Sequence, residues 1–194
     1  MKRKKFIIIT CGLFERKTKN QLLKDVSQIF RVDVDLMECT MDISQFYNPA
    51  RRQYNADLML EAFTSRAPEG YLRYMNISRG DLFIPILTYI FGQAQLNGKY
   101  GIASLFRLRN ELYGLPADDA LMRERLSKVV VHELGHTFGL IHCRQPVCVM
   151  RSSTYVEDLD QKGLQFCPHC REQLDERLKT VRRQWKRSVM TRRI

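Results

Sequence analysis

The stretch His132-Glu133-Leu134-Gly135-His136 constrains this chain more than any other part of it. On a helix, residues four apart lie one turn above each other, so His132 and His136 can point at one ion. Glu133 projects about 100° further round, where it can reach a water on that ion without itself ligating. The helix must then end and the chain turn back, and Gly139 supplies the left-handed conformation such a reversal needs. His142, three residues on, completes a three-histidine set with an open fourth position. That set is the signature of a catalytic rather than a structural zinc. The short motif alone carries a real risk of chance occurrence; the added Gly139-x-x-His142 makes coincidence far rarer. Helix-face histidines that bind no metal are the bland alternative, disfavoured on that ground.

The expected chemistry follows from the parts. Three neutral imidazoles leave zinc its double charge, which lowers the pKa of a bound water toward ~7. Glu133 is the expected general base, accepting that water's proton and later passing one to a leaving amine. The resulting reaction is peptide-bond hydrolysis by a metalloendopeptidase or an aminopeptidase.

A second constellation follows directly. Cys143 adjoins His142, Cys148 lies four intervening residues on, and Cys167-Pro168-His169-Cys170 closes the group. Two cysteine pairs, C-x4-C and C-x2-C with 18 residues between them, fit a four-thiolate structural zinc. A disulfide pair, or free structural thiols, are the alternatives. His169 could replace one cysteine, although within so short a knuckle it is expected to point outward. Two zinc ions per chain are therefore expected. Because His142 and Cys143 are neighbours, side-chain reach limits the two ions to a separation of no more than ~14 Å. Cys11 and Cys39 stand apart and read as buried small hydrophobes.

The rest of the chain is read around these sites. Phe6-Ile7-Ile8-Ile9-Thr10 is β-branched, short and bounded by Cys11-Gly12, which suits a buried first strand. The basic start Met1–Lys5 before it mimics a signal peptide, but no small-residue cleavage site follows and Glu15-Arg16-Lys17 comes next. No apolar run reaches the ~20 residues needed to span a bilayer. A cytoplasmic location without membrane contact is the expectation.

Thr18 with Leu22, Leu23, Val26, Ile29 and Phe30 predicts a capped amphipathic helix, and Val32, Val34 and Leu36 a half-buried strand. Tyr54, Leu58, Met59, Ala62 and Phe63 recur at helical spacing and end before Pro68. Leu82–Phe91 is expected to be a strand with Pro85 near its start, and Tyr100–Leu108 another. A long helix is expected from Asp119 to Gly139, with Met122, Leu126, Val129, Val130 and Leu134 as its apolar stripe. A final helix carries Leu174, Leu178, Val181 and Trp185 on one side.

At 194 residues the chain is expected to form a single domain, residues 1–194, with an N-terminal lobe (1–142) and a C-terminal lobe (143–194). The formal charge of +11 gathers at the two ends, in Lys2–Lys5 and in Arg182, Arg183, Lys186, Arg187, Arg192 and Arg193. An anionic partner such as nucleic acid is one reading. A solvated basic surface is preferred, since no stacking-aromatic motif accompanies the charge.

Taken together, these residues resemble the archaemetzincins, a branch of the metzincin zinc peptidases. The pattern HExxHxxGxxHC, x4-C, x-M and then C-x-x-C reads here as His132 to Cys143, Cys148-Val149-Met150 and Cys167 to Cys170. Sixteen residues separate Met150 from Cys167 where the family pattern has about seventeen, a one-residue change in a loop.

The resemblance implies an α/β (α+β) metzincin-like zincin fold: a twisted mixed sheet, a zinc-binding active-site helix and a small C-terminal lobe holding the structural zinc. It assigns His132, His136 and His142 to the catalytic zinc, Glu133 to the general base, and Cys143, Cys148, Cys167 and Cys170 to the second zinc. Met150 becomes the Met-turn residue beneath the metal. An edge strand above the cleft would bind substrate by strand addition, with Tyr100–Leu108 as the candidate. Tyr155 could reach an oxyanion there; an exposed tyrosine at the solvent edge is the preferred reading.

The leading expectation is thus a zinc-dependent metallopeptidase acting on peptides or proteins. A metzincin-shaped protein of narrow or cryptic activity, working mainly by binding a partner, is the alternative. A zinc-knuckle nucleic-acid-binding protein ranks last, because it leaves Glu133 and the three histidines without a purpose.

Overall fold

The computed structural model describes residues 5–191, with side chains described through residue 185. The basic residues Lys2, Arg3 and Lys4 at the start, and Lys186, Arg187, Arg192 and Arg193 at the end, therefore lie outside the described side chains.

In chain order the elements are β1 (Lys5–Cys11), α1 (Arg16–Phe30), β2 (Asp33–Glu38), β3 (Tyr47–Asn48), β4 (Gln53–Asn55), α2 (Ala56–Arg66), β5 (Arg73–Ser78), β6 (Leu82–Phe83), β7 (Gly92–Ala94), β8 (Tyr100–Ser104), α3 (Asp119–Thr137), α4 (Val156–Gln161) and α5 (Pro168–Thr191). The main sheet has the order β2-β1-β5-β8-β7, and a small sheet has the order β3-β4-β6. In the main sheet all neighbours run parallel except β7, which is antiparallel to β8 and forms one edge.

β1 explains why its sequence is a continuous apolar run. It is flanked on both sides by parallel neighbours, and its alternate side chains serve two cores. Phe6 and Ile8 face a cluster with Leu22, Val26, Ile29 and Phe30 of α1 and Leu126, Val130 and Leu134 of α3. Ile7 and Ile9 face the other side with Tyr74. Ile102 of β8 packs on that second side with Met59, Leu60 and Phe63 of α2. The larger cluster also takes in Met150, Phe166, Leu174 and Leu178, so the end of the chain shares the core of its beginning. Four rings mark the joint: Phe30 lies 5.4 Å from Phe6, 5.9 Å from Phe138 and 5.8 Å from Phe166, centroid to centroid. Arg171 of α5 donates to the Ile29 carbonyl at 2.6 Å, fixing the last helix to the end of α1.

This mixed α/β architecture is the expected fold class, with several local corrections. α1 begins at Arg16, two residues before Thr18, and Thr18 is buried inside it rather than capping it. Tyr54 belongs to β4; the cap of α2 is Asn55, whose side chain accepts from the Leu58 N–H. Of Leu82–Phe91 only Leu82–Phe83 is a strand. Pro85 has no N–H to offer a ladder, and the chain turns there with the Leu87 N–H on the Ile84 carbonyl. The strand read as Tyr100–Leu108 ends at Ser104, and a 3₁₀ turn covers Phe106–Leu108. It lies between β5 and β7, so β7 and not Tyr100–Leu108 is the edge. Cys11 is buried as expected, Cys39 only partly. Among the described residues no helix is long and apolar enough to cross a membrane.

Candidate metal centre and active-site cleft

α3 begins where Asp118 accepts from the Leu121 N–H, and runs for 19 residues behind the sheet. Its apolar stripe fills the core, which leaves His132, Glu133 and His136 on the side that faces β7. At its far end the Phe138 and Leu140 N–H groups return to the Gly135 carbonyl, and the Gly139 N–H to that of His136. Gly139 has φ +82°, and a Cβ there would meet Asn97 at 3.4 Å. Glycine is needed at this reversal on both counts. Arg73, buried beneath the helix end, donates to the Thr137 hydroxyl at 3.0 Å and to its carbonyl at 3.2 Å, while its guanidinium stacks on Phe138.

The reversal carries His142 back to the other two. The three ligand nitrogens lie within 4.8 Å of one another, and the Nε2 atoms of His132 and His136 are 3.0 Å apart. Two Zn–N bonds at tetrahedral angles would space them at about 3.3 Å. The remaining ring nitrogens are already engaged: Nδ1 of His132 is 2.8 Å from the Val149 carbonyl, and Nδ1 of His136 is 2.7 Å from that of Leu140. Those carbonyls require Nδ1–H, which leaves both Nε2 lone pairs for a metal. Burial holds all three histidines below their ordinary pKa, as neutral ligands must be. The donor set fits zinc.

The four cysteines also meet. Cys143, Cys148, Cys167 and Cys170 bring their sulfurs within 4.8 Å of one another, and those of Cys143 and Cys167 are 3.8 Å apart. Tetrahedral Zn–S bonds of about 2.3 Å imply nearly that separation. A disulfide would need about 2.05 Å. The Cys167 N–H points at Cys148 Sγ and the Gln145 N–H at Cys143 Sγ, the donors a bound thiolate uses. His169 is outside the group, paired with Gln173 on the exposed face of α5. Between the two sites Met150 is fully buried, and its Sδ lies 2.5 Å from where a Cβ on Gly135 would stand. The Met150 carbonyl accepts from the Cys143 N–H at 2.9 Å.

A cleft of about 430 Å³ opens over the histidines, lined by residues 87–94 and by Val129, Ser152–Thr154, Leu159 and Lys162. Glu133 sits in its wall, 7% exposed, against β7: a Cβ on Gly92 would come within 2.9 Å of Glu133 Oε1. Burial pushes the Glu133 carboxyl up to about 8, while the positive charge of Lys162 acts in the opposite direction. The irregular segment 84–91 is held by side chains. Arg51 donates to the Leu87 and Thr88 carbonyls, Gln53 to that of Thr88, and the Tyr89 hydroxyl bridges to the Thr154 carbonyl at 2.8 Å. Tyr155 is 64% exposed at the start of α4 and is not among the residues lining the cleft.

Among the residues of this cleft that sequence reasoning missed are Gly92, Gln93, Ser153 and Lys162. Nothing in periodicity marks them.

Comparison with known proteins agrees with the geometry. The model of peptidase family M54 matches residues 44–176. The archaemetzincin of Methanocaldococcus jannaschii is 37% identical over 131 residues, 68% of this chain and 71% of that protein. The crystal structure of archaemetzincin from Methanopyrus kandleri superposes with a TM-score of 0.81 at 30% identity, covering 92% of this chain and 97% of that one. A protein from Methanocorpusculum labreanum described as a zinc-dependent peptidase superposes at 0.74 with 26% identity, over 87% of this chain and 99% of its own. With its two zinc-competent sites and this fold, the chain belongs to the archaemetzincins, the metallopeptidases of family M54.

Proposed function

We propose that this metallopeptidase hydrolyses peptide bonds with Glu133 as general base, in the cleft between β7 and the Ser152–Lys162 segment. The observation that carries the reading is the placement of the buried Glu133 carboxyl in one cleft with three histidines whose ring nitrogens converge within 4.8 Å. His132, His136 and His142 would hold the zinc, which would supply Lewis-acid activation of water and of the peptide carbonyl. The chain's own residues do the rest. Glu133 takes a proton from the attacking water and delivers one to the leaving amine, a double role suited to a carboxyl whose burial makes it more basic.

β7 aligns the substrate. As an antiparallel edge strand beside Glu133 it offers one row of main-chain groups to an extended peptide, in place of the strand first expected in that role. The second zinc, in the four-thiolate site, acts structurally, fixing Cys143 and through it the adjacent His142. We take residues 1–142 and 143–194 as two lobes of one domain, a view supported by the core cluster common to both. We also keep the cytoplasm as the site of action, and peptides or proteins, not nucleic acid, as the partner.

A peptide-library cleavage assay on zinc-loaded protein tests the reading. Defined cuts are expected, abolished by chelation and restored by zinc. Their positions within or at the ends of the peptides distinguish endopeptidase from aminopeptidase. No cleavage of any library member by the two-zinc protein would contradict the proposal.

A further inference from the structure

The lining of the cleft contains a group that peptide-bond hydrolysis at the three histidines does not require. Lys162 is 3% exposed, yet it lines the cleft together with Glu133. A lysine ammonium has three donors, and one of them goes to the Arg151 carbonyl at 2.7 Å. Burying an ammonium is costly unless it is paired, so its retention here calls for a use.

The neighbours sharpen the point. Three buried side-chain N or O atoms among the described residues have no hydrogen-bond partner, and two of them, Ser153 Oγ and Gln93 Oε1, belong to residues lining this cleft. The lining also includes Val129, one helical turn before Glu133, and Leu159, one helical turn before Lys162, both buried and apolar. The pocket thus has greasy sides, a hydroxyl without a partner and a cation. Lys162 and Glu133 are the two formally charged side chains among the lining residues. A bound zinc dication beside Lys162 leaves the cleft net positive whether or not Glu133 is ionised. Other charged groups facing Lys162 are committed elsewhere. Lys128 donates to the Leu159 carbonyl and pairs with Glu124, Asp158 accepts from the Thr154 and Tyr155 N–H groups, and Cys148 belongs to the four-sulfur site.

We propose that Lys162, with Ser153, Val129 and Leu159, forms an acid-selective subsite that takes the side chain of an Asp or Glu flanking the scissile bond. The apolar walls accept the methylene stem, and the ammonium and hydroxyl meet the carboxylate. Burial lowers the Lys162 pKa to about 8, while the charge of Glu133 acts in the opposite direction. The inference rests on the peptidase reading above and adds its substrate class.

The test uses zinc-loaded protein and competition binding of matched peptide hydroxamates that differ only in Asp against Asn, or Glu against Gln, beside the hydroxamate. Acetohydroxamate, which has no side chain, reports separately on the metal site. The wild type is expected to prefer the acidic member by about tenfold or more. In Lys162→Gln, which keeps a donor for the Arg151 carbonyl, the ratio is expected to fall to about one while acetohydroxamate binding holds. A merely structural lysine would weaken all the ligands alike and leave the ratio unchanged. Equal binding of the acidic and neutral members by the wild type overturns the subsite even if the variant fails to fold. Absence of acetohydroxamate binding would instead bring down the peptidase reading on which the subsite rests.

Discussion

Two glycines set the geometry of the cleft at the level of single atoms. Gly135 lies between the two helical histidines, and a Cβ there would meet Met150 Sδ at 2.5 Å and Phe166 at 3.3 Å. Gly135→Ala is expected to cost about 1–3 kcal/mol of stability from overpacking, measured by urea unfolding of the zinc-loaded protein. Gly92 is more sensitive still, because a Cβ would meet Glu133 Cγ at 2.7 Å and the Ile102 carbonyl, which is backbone and cannot swing away, at 2.9 Å. Gly92→Ala should lower kcat on the order of a hundredfold by displacing the base, with zinc content unchanged. Wild-type turnover in that variant would show that Glu133 needs no such room. The sequence displayed the candidate ligands and hid their supports for a physical reason. His132, Glu133 and His136 are related by helical spacing, which is local. Gly92 meets Glu133 across 41 positions of chain, and Lys162 across 29, so only the tertiary fold brings them together.

At the level of elements, helices were more legible than strands. α3 and α5 carry apolar residues at a sustained helical period, and β1 is an unbroken apolar run that only a strand buried on both faces requires. Leu82–Phe91 looked equally apolar, but its side chains are divided between burial and the cleft rim: Leu82 is fully buried and Ile86 is 86% exposed. Composition does not separate a strand from a pinned loop; the pins are Arg51, Gln53 and Tyr89, and the first two are distant in sequence. β7, with only three residues and no β-branched one among them, had no strand signal at all. Its edge position follows from being the end of a sheet, which no single segment reveals.

α4 allows a pH test at this scale. Asp158 accepts from the Tyr155 and Thr154 N–H groups, and these bonds hold its carboxyl below the ordinary 3.8. A carboxyl depressed on folding stabilises above its unfolded pKa, and that stability is lost as pH falls through the folded value. Asp158→Ala should therefore cost about 0.5–2 kcal/mol at pH 7, by analogy with other helix caps. The difference from wild type should shrink as unfolding is followed below pH 3.8. A difference independent of pH would mean that the carboxylate charge contributes nothing to the cap.

On the scale of the whole molecule, the two candidate metal sites are physically connected. His142 and Cys143 are adjacent, the Cys143 N–H holds the Met150 carbonyl, and Met150 packs on Gly135 between the helical histidines. Cys167→Ser or Cys170→Ser is therefore expected to weaken zinc binding at the three-histidine site about tenfold or more, although it changes none of its ligands. Competition with a chromophoric chelator measures this, and an unaltered affinity would show that the sites are independent. The central claim is that Glu133 performs the proton transfers in a cleft whose metal is held by other residues. Its most direct test is Glu133→Ala, assayed together for zinc content and for cleavage of a peptide library. Two zinc ions per chain with cleavage abolished is the predicted result. Cleavage at the wild-type rate with both ions in place would contradict it.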